Sequence, residues 1–224
     1  MKKHRLLAEA LAKLFAGIAV LALLLFVPAG TLQYPGAWQL MIILFVPMFI
    51  AGLLMLFKNP ALLARRLNAK ETQKQQKQVV GLSALMFIAG FVLAGLDFRF
   101  GWNRLPRRIS ICASVLFLLG YTLYGEVLRE NSYLSRTIDV QKDQQLIDTG
   151  LYGIVRHPMY TATILMFLAM PLVLGSVWAF ILFLAYPLLI IKRIRNEEEV
   201  LKNGLPGYTD YTQKVKYRLL PFIW

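Results

Sequence analysis

The sequence predicts an all-α integral membrane protein of about six transmembrane helices, and three observations carry that prediction. Hydrophobic residues make up 58% of the chain, above what a soluble domain of this length holds. They gather into runs close to the roughly 20 residues needed to cross a bilayer. The basic residues gather between those runs and mostly on one side of the bilayer they imply.

The runs fall at about 10–28, 36–57, 79–97, 109–128, 158–174 and 177–192. Lys2, Lys3 and Arg5 ahead of the first run have the charge of a signal-peptide start. Five further runs and the lack of a small-x-small cleavage site favour a retained helix. A net charge of +13 would suggest nucleic acid in a soluble protein, but the positive-inside rule explains it here, and no nucleic-acid partner is expected. Lys and Arg number four through Lys13, six in 58–78, four in 129–156 and seven from Lys192 onward. Arg99, Arg104, Arg107 and Arg108 remain for the opposite side, so both termini are expected in the cytoplasm. The lone Cys112 lies in an apolar run, and His4 and His157 are far apart, so neither a disulfide framework nor a metal site is expected.

Between the runs, Lys58-Asn-Pro-Ala-Leu-Leu-Ala-Arg-Arg-Leu67 opens on Asn-Pro and spaces Leu62, Leu63 and Leu67 as a short interfacial helix. It serves either as an inert surface helix or as one wall of a lipid entrance. Gly81, Ala84, Ala89, Gly90, Ala94 and Gly95 make the third run suited to close helix packing. Tyr34, Trp38 and Trp102 are expected in aromatic belts at the membrane surfaces. The fourth run ends in Tyr121, Tyr124, Glu126, Arg129 and Glu130. There Glu126 and Arg129 either neutralise each other at i,i+3 or mark a functional site.

Segment 131–157 is polar. Thr137–Gln141 and Gln144–Asp148 alternate around Lys142-Asp143, which predicts a small hairpin folded under the membrane face near His157. Next comes Arg156-His-Pro-Met-Tyr160, where Pro158 suits the first turn of the fifth membrane helix. Free N–H groups and the helix dipole beside Arg156 and His157 would attract a carboxylate or phosphate. The same residues would equally serve as an interface cap. Pro187 is expected to kink the sixth span and Pro171 the far end of the fifth. Beyond the kink, Arg193 and Glu197, and likewise Arg195 and Glu199, share helix faces at i,i+4. On a solvated helix such pairs form a salt-bridge ladder. Beside the Arg-His-Pro segment they offer a cation and a carboxylate at one face.

The ordered set Gly150-Leu-Tyr, Arg156-His-Pro-Met-Tyr160, Glu197-Glu198 with Leu201, Gly207-Tyr, Tyr211, Val215, Arg218 and Pro221 resembles the isoprenylcysteine carboxyl methyltransferase family, above all its bacterial members. The resemblance is close over about the C-terminal 95 residues and extends to the rest as a pattern of spans. It implies a single membrane methyltransferase domain over 1–224. Residues 1–128 would form four spans, and 129–224 an S-adenosyl-L-methionine-binding core with two. The 129–157 loop and the helical C-terminal tail would build a small cytoplasmic cofactor region, in a bacterial inner membrane. By the same resemblance, Gln141, Gln144, Leu146, Ile147, Tyr152, His157, Pro158, Met159, Tyr160 and Glu197 contact the cofactor. Arg193 orients an acceptor carboxylate. Gln144 stands where animal members carry histidine, and Gln141 is carried over across a shortened hairpin.

Methyl transfer from a sulfonium is an in-line displacement that rests on alignment. A carboxylate acceptor needs no base, whereas an amine would bring Glu126 or Glu130 into play. A lipophilic acceptor would enter sideways from the lipid bilayer, and carboxylates, amines and thiols all remain open as acceptors. A phospholipid amine N-methyltransferase is one alternative. Another is an NADPH-dependent reductase of the sterol-reductase type, which shares a His-Pro-x-Tyr segment and an Arg-x-x-Pro ending. A non-enzymatic carrier would instead place polar groups at mid-membrane along several spans.

Overall fold

The computed structural model describes residues 3–68, 73–102, 105–138 and 140–224. Lys2, Lys70 and Arg104 of the charge count, and Asp139 of the expected hairpin, lie outside the described residues. Among the described residues nine α-helices follow in order, with no strand: α1 Lys3–Ala29, α2 Pro35–Lys58, α3 Pro60–Leu67, α4 Lys74–Phe100, α5 Arg107–Glu130, α6 Pro158–Val173, α7 Val177–Phe183, α8 Ala185–Gly204 and α9 Tyr208–Lys214.

Helices α1, α2, α4, α5 and the α7–α8 pair are long and apolar enough to cross a bilayer. The fifth expected span, α6, has only 16 residues. At about 1.5 Å per residue it covers about 24 Å, less than the roughly 30 Å of hydrocarbon. Its first residue, Pro158, and the preceding Arg156 and His157 are buried. Leu184 separates α7 from α8, one turn ahead of Pro187, so the expected kink is present. Pro171 sits within α6 and is buried, two residues before the helix ends.

The bundle closes by small-residue contacts and a ring of aromatics. A Cβ at Gly95 would lie 2.7 Å from the Leu25 carbonyl oxygen, so this glycine lets α4 meet the α1 backbone. A Cβ at Gly120 would lie 2.8 Å from Met166 Cγ, in the α5–α6 pair, the most extensively packed of the bundle. Phe87 of α4 packs edge-on to Phe167 of α6 at 4.9 Å and to Phe183 of α7 at 5.2 Å between ring centres. Gly81 faces open space, so the packing expectation holds for Gly90 and Gly95 but not for the start of the run.

Two expectations are corrected at this level. Tyr34 does not join an aromatic belt. It is buried at 1% exposure and its hydroxyl donates to the Leu174 carbonyl at 2.7 Å, tying the start of α2 to the end of α6. Trp38 and Trp102 are about half exposed, as belt residues are. The hairpin expected over Thr137–Asp148 survives only as its turn. Gln144 N–H donates to the Gln141 carbonyl at 3.1 Å, with Asp143 at φ 60°, but the flanks form no strand pair. The carbonyls leading into the first flank are taken by side chains of α3 and of Gln73, the residue before α4. Arg65 donates to the Ser132 carbonyl at 2.7 Å, Arg66 to Ser135 at 3.1 Å and Gln73 to Ile138 at 3.1 Å.

Helix α3 is thus neither inert nor a bare entrance wall. Asn59 caps it, accepting from the Leu62 N–H at 3.1 Å. Leu62 and Leu63 are buried, and Leu63 joins Leu6 and Leu56 in a small core with α1 and α2. The opposite side presents Arg65 and Arg66 to segment 131–138, and their guanidinium groups also lie over the rings of Tyr133 and Tyr124. A short helix anchored in the bundle holds the polar loop in place.

Candidate functional site

The site begins at residues 149–158, where the chain must turn from solvent into the bundle. Gly150 adopts φ +55° and opens a 3₁₀ turn, Gly150–Gly153, whose Leu151 N–H donates to the Glu130 carboxylate at 3.0 Å. A Cβ at Gly150 would collide with that carboxylate, so glycine is required twice over. Glu130 is therefore committed to capping this turn. Glu126 pairs with Arg129 on an exposed surface. Neither glutamate lines the cleft described below.

At the start of α6 the expected anion is present, and it belongs to the protein. Glu198 on α8 is 4% exposed. It accepts from Arg156 Nε at 2.8 Å and Arg218 Nε at 3.0 Å, with His157 Nε2 at 3.3 Å. Arg156 also donates to the carbonyls of Val215 at 2.8 Å and Lys216 at 3.0 Å. The N–H groups of Arg156 and His157 donate to Tyr217 and Arg218 carbonyls, each at 2.9 Å. Pro158 is fully buried. The Arg-His-Pro segment thus clamps the C-terminal tail to the helix start through one buried carboxylate.

Beside this clamp lies a cleft of about 860 Å³, counting its open mouth. Of the residues expected to contact a cofactor, it brings together Gln144, Leu146, Ile147, Tyr152, His157, Met159, Tyr160 and Glu197, and Arg193 also lines it. Gln141 and Pro158 are not on its surface. Gln141 lies a layer behind, where its amide donates to the Tyr133 carbonyl at 2.6 Å and its N–H to Gln144 Oε1 at 2.9 Å.

Arg193 and Glu197 meet through a third residue. The Tyr160 hydroxyl accepts from Arg193 Nε at 2.8 Å and donates to the Glu197 carboxylate. Arg193 also donates to the Arg136 carbonyl at 2.8 Å. The i,i+4 spacing therefore places both groups on the cleft, while Arg195 and Glu199 stand exposed on the outer side of α8. Glu197 is the one carboxylate among the described residues that lines the cleft.

The far wall was less visible in the sequence. Gly207 at φ +80° reverses the chain into α9 and sets Tyr208 and Tyr211 over Leu205 and Val215, with Val140, Leu146 and Leu201 packed against them. Tyr211 is satisfied, donating to the Tyr152 carbonyl at 2.7 Å. Tyr208 lines the cleft, 3% exposed, and its hydroxyl has no hydrogen-bond partner. Burial raises the Tyr208 phenol well above its ordinary pKa, and the Glu198 and Glu197 charges add to this. Asn131, Tyr133, Ser135 and Thr137 complete the rim. In the sequence, Gly207-Tyr, Tyr211, Val215 and Leu201 of the ordered motif, with Leu146, point to this wall.

The comparisons can be set against this geometry. Residues 109–205, from α5 through α8, match the phospholipid methyltransferase family. The solved structure of the eukaryotic intramembrane Ras methyltransferase, an isoprenylcysteine carboxyl methyltransferase, superposes with a TM-score of 0.60 at 19% identity, covering 96% of this chain and 77% of that one. The fold is that of an isoprenylcysteine carboxyl methyltransferase. The family match falls within that shared fold, and the long apolar helices make the chain an integral membrane protein. The delta(14)-sterol reductase TM7SF2 of Mus musculus is 27% identical over 134 residues, 54% of this chain. The chain spans 32% of that relative's length.

Proposed function

We propose that the protein transfers the methyl group of S-adenosyl-L-methionine to a lipophilic acceptor at the cytoplasmic membrane face. The observation that carries this reading is the meeting of Arg193, Tyr160 and Glu197 on a cleft at the start of the shortest membrane helix. The residues present suit such a cofactor. Glu197 offers acceptors for hydroxyls or an ammonium, Tyr208 offers an unspent donor, and Leu146 and Leu201 offer apolar walls. The bound cofactor would supply a sulfonium methyl group for in-line displacement.

The protein's own contribution is alignment and exclusion of water. Arg193, fixed by Tyr160 and the Arg136 carbonyl, holds an acceptor carboxylate toward the cleft through charge-assisted hydrogen bonds. The Glu198 clamp keeps the tail and its tyrosines closed over the other side. An acceptor with an acyl or prenyl chain reaches this point from the bilayer, between helices. Incubating membranes that contain the protein with methyl-labelled cofactor is expected to label a lipid-extractable product. A label found only in soluble material would refute a lipophilic acceptor. The phospholipid methyltransferase match makes a phospholipid amine the second acceptor class to seek in that extract.

Arg193→Ala is expected to lower methyl transfer at least tenfold while changing cofactor affinity less than threefold, since the lost bond is to the acceptor. Equal losses in both would make Arg193 a structural residue. The likeness to a sterol reductase supports a second reading, an NADPH-dependent reductase. Titrating the purified protein with each cofactor separates them; NADPH binding without S-adenosylmethionine binding would reverse the choice.

A further inference from the structure

We propose that the Tyr208 hydroxyl is a binding group for the adenosine part of the cofactor, an inference that rests on the adenosyl-cofactor reading above. Among the described residues, two buried side-chain polar atoms have no hydrogen-bond partner: the Tyr208 hydroxyl and the Gln76 amide oxygen. Only Tyr208 lines the cleft. Leaving a buried donor unmade costs about 1–3 kcal/mol, so an unpaired hydroxyl beside an 860 Å³ cleft points to a ligand atom as its partner. Two neighbouring polar groups are already engaged. Tyr211 donates to Tyr152, and Arg156 is spent on Glu198 and the tail carbonyls.

The surroundings select the ligand's chemistry. The ring packs with Leu205, Tyr211 and Val215, beside Val140, Leu146 and Leu201, an apolar wall suited to a flat heteroaromatic base. The negative charges of Glu197 and Glu198 both act on the hydroxyl. They keep it protonated, so it can donate, and they disfavour a carboxylate next to it. A neutral acceptor is required. An adenine ring nitrogen or a ribose hydroxyl fits, and the amino-acid end of the cofactor does not. The ammonium of that end is left to the Glu197 side of the cleft.

The test uses the full-length protein in nanodiscs, wild type and Tyr208→Phe, titrated with S-adenosylhomocysteine, 5′-methylthioadenosine and NADPH. The methylthio compound retains adenosine and lacks the amino acid. Loss of one hydrogen bond is expected to weaken both thionucleosides about five- to tenfold and by the same factor. The melting temperature without ligand is expected not to fall, because an unpartnered hydroxyl makes no native bond. Unchanged affinity, or a loss confined to S-adenosylhomocysteine, overturns the assignment, and so does a lowered melting temperature. Should the wild type bind NADPH alone, the methyl-donor reading fails. In that case a similar loss of NADPH affinity in the variant still supports Tyr208 as the adenosine contact, and an unchanged one overturns it. Failure of the wild type to bind any of the three overturns both readings.

Discussion

Replacing Glu198 with alanine is expected to release the C-terminal tail and destabilise the cofactor half by roughly 3–5 kcal/mol, the range for breaking a buried ion pair from one side. The physical reason is the partner left behind. Arg156 is 7% exposed and always charged, and its remaining bonds are to backbone carbonyls. Arg218 would lose its own link, and the stretch from Val215 to Trp224 would be held by bonds from Arg156 and Thr161 side chains to its carbonyls and by the backbone N–H groups of Arg156 and His157. Limited proteolysis is the direct measurement, with faster cleavage expected between Gly207 and Arg218. Glu198→Gln keeps the volume and one acceptor oxygen, so an intermediate loss is expected. If Glu198→Ala digests and melts like wild type, the clamp is not what holds the tail.

Replacing Glu197, one residue away, is expected to do the opposite. Glu197→Ala leaves the buried clamp intact and removes the carboxylate facing the cleft. Hydrogen bonds to a charged group contribute about 1.5–3 kcal/mol each, so losing two to the cofactor predicts at least about a hundredfold weaker binding. The melting temperature without ligand is expected to stay within about 2 °C, since Glu197 spends one bond on Tyr160 and is partly exposed. Calorimetric titration with S-adenosylhomocysteine checks it. Affinity equal to wild type would remove Glu197 from the cofactor site. The contrast between adjacent glutamates is itself the test: one variant loses the fold around the site, the other loses the ligand.

The pair shows why only part of the site was legible beforehand. Both residues stand in one Glu197-Glu198-Glu199 run, which composition cannot divide. Successive residues on a helix turn by about 100°, so each of the three meets a different environment. Glu198 faces the start of α6 and the tail, Glu197 faces the cleft, and Glu199 is exposed. The ladder expected from i,i+4 spacing ignored the other elements packed against α8. Tyr160, from a helix more than thirty residues earlier, takes the place between Arg193 and Glu197. The alternation in 137–148 misled for a related reason. Period-two polarity is compatible with a strand, but here Arg65, Arg66 and Gln73 compete for carbonyls in the preceding 132–138 stretch.

What local sequence determined is the set of helices and their ends. Apolar run length, Asn59-Pro60 and Pro158 at helix starts, and Pro187 at the break each act within a turn or two of where they stand. The ordered motif of residues 150–221 also indicated which segments belong to one site. Tertiary structure alone decided which polar groups meet. The Arg65 and Arg66 hold on the loop, the Glu198 clamp and the unpartnered Tyr208 hydroxyl join or leave groups 20 to 69 positions apart. Such pairings depend on where α3, α6 and the tail come to rest against α8, and burial then makes each bond made or missing there costly enough to matter.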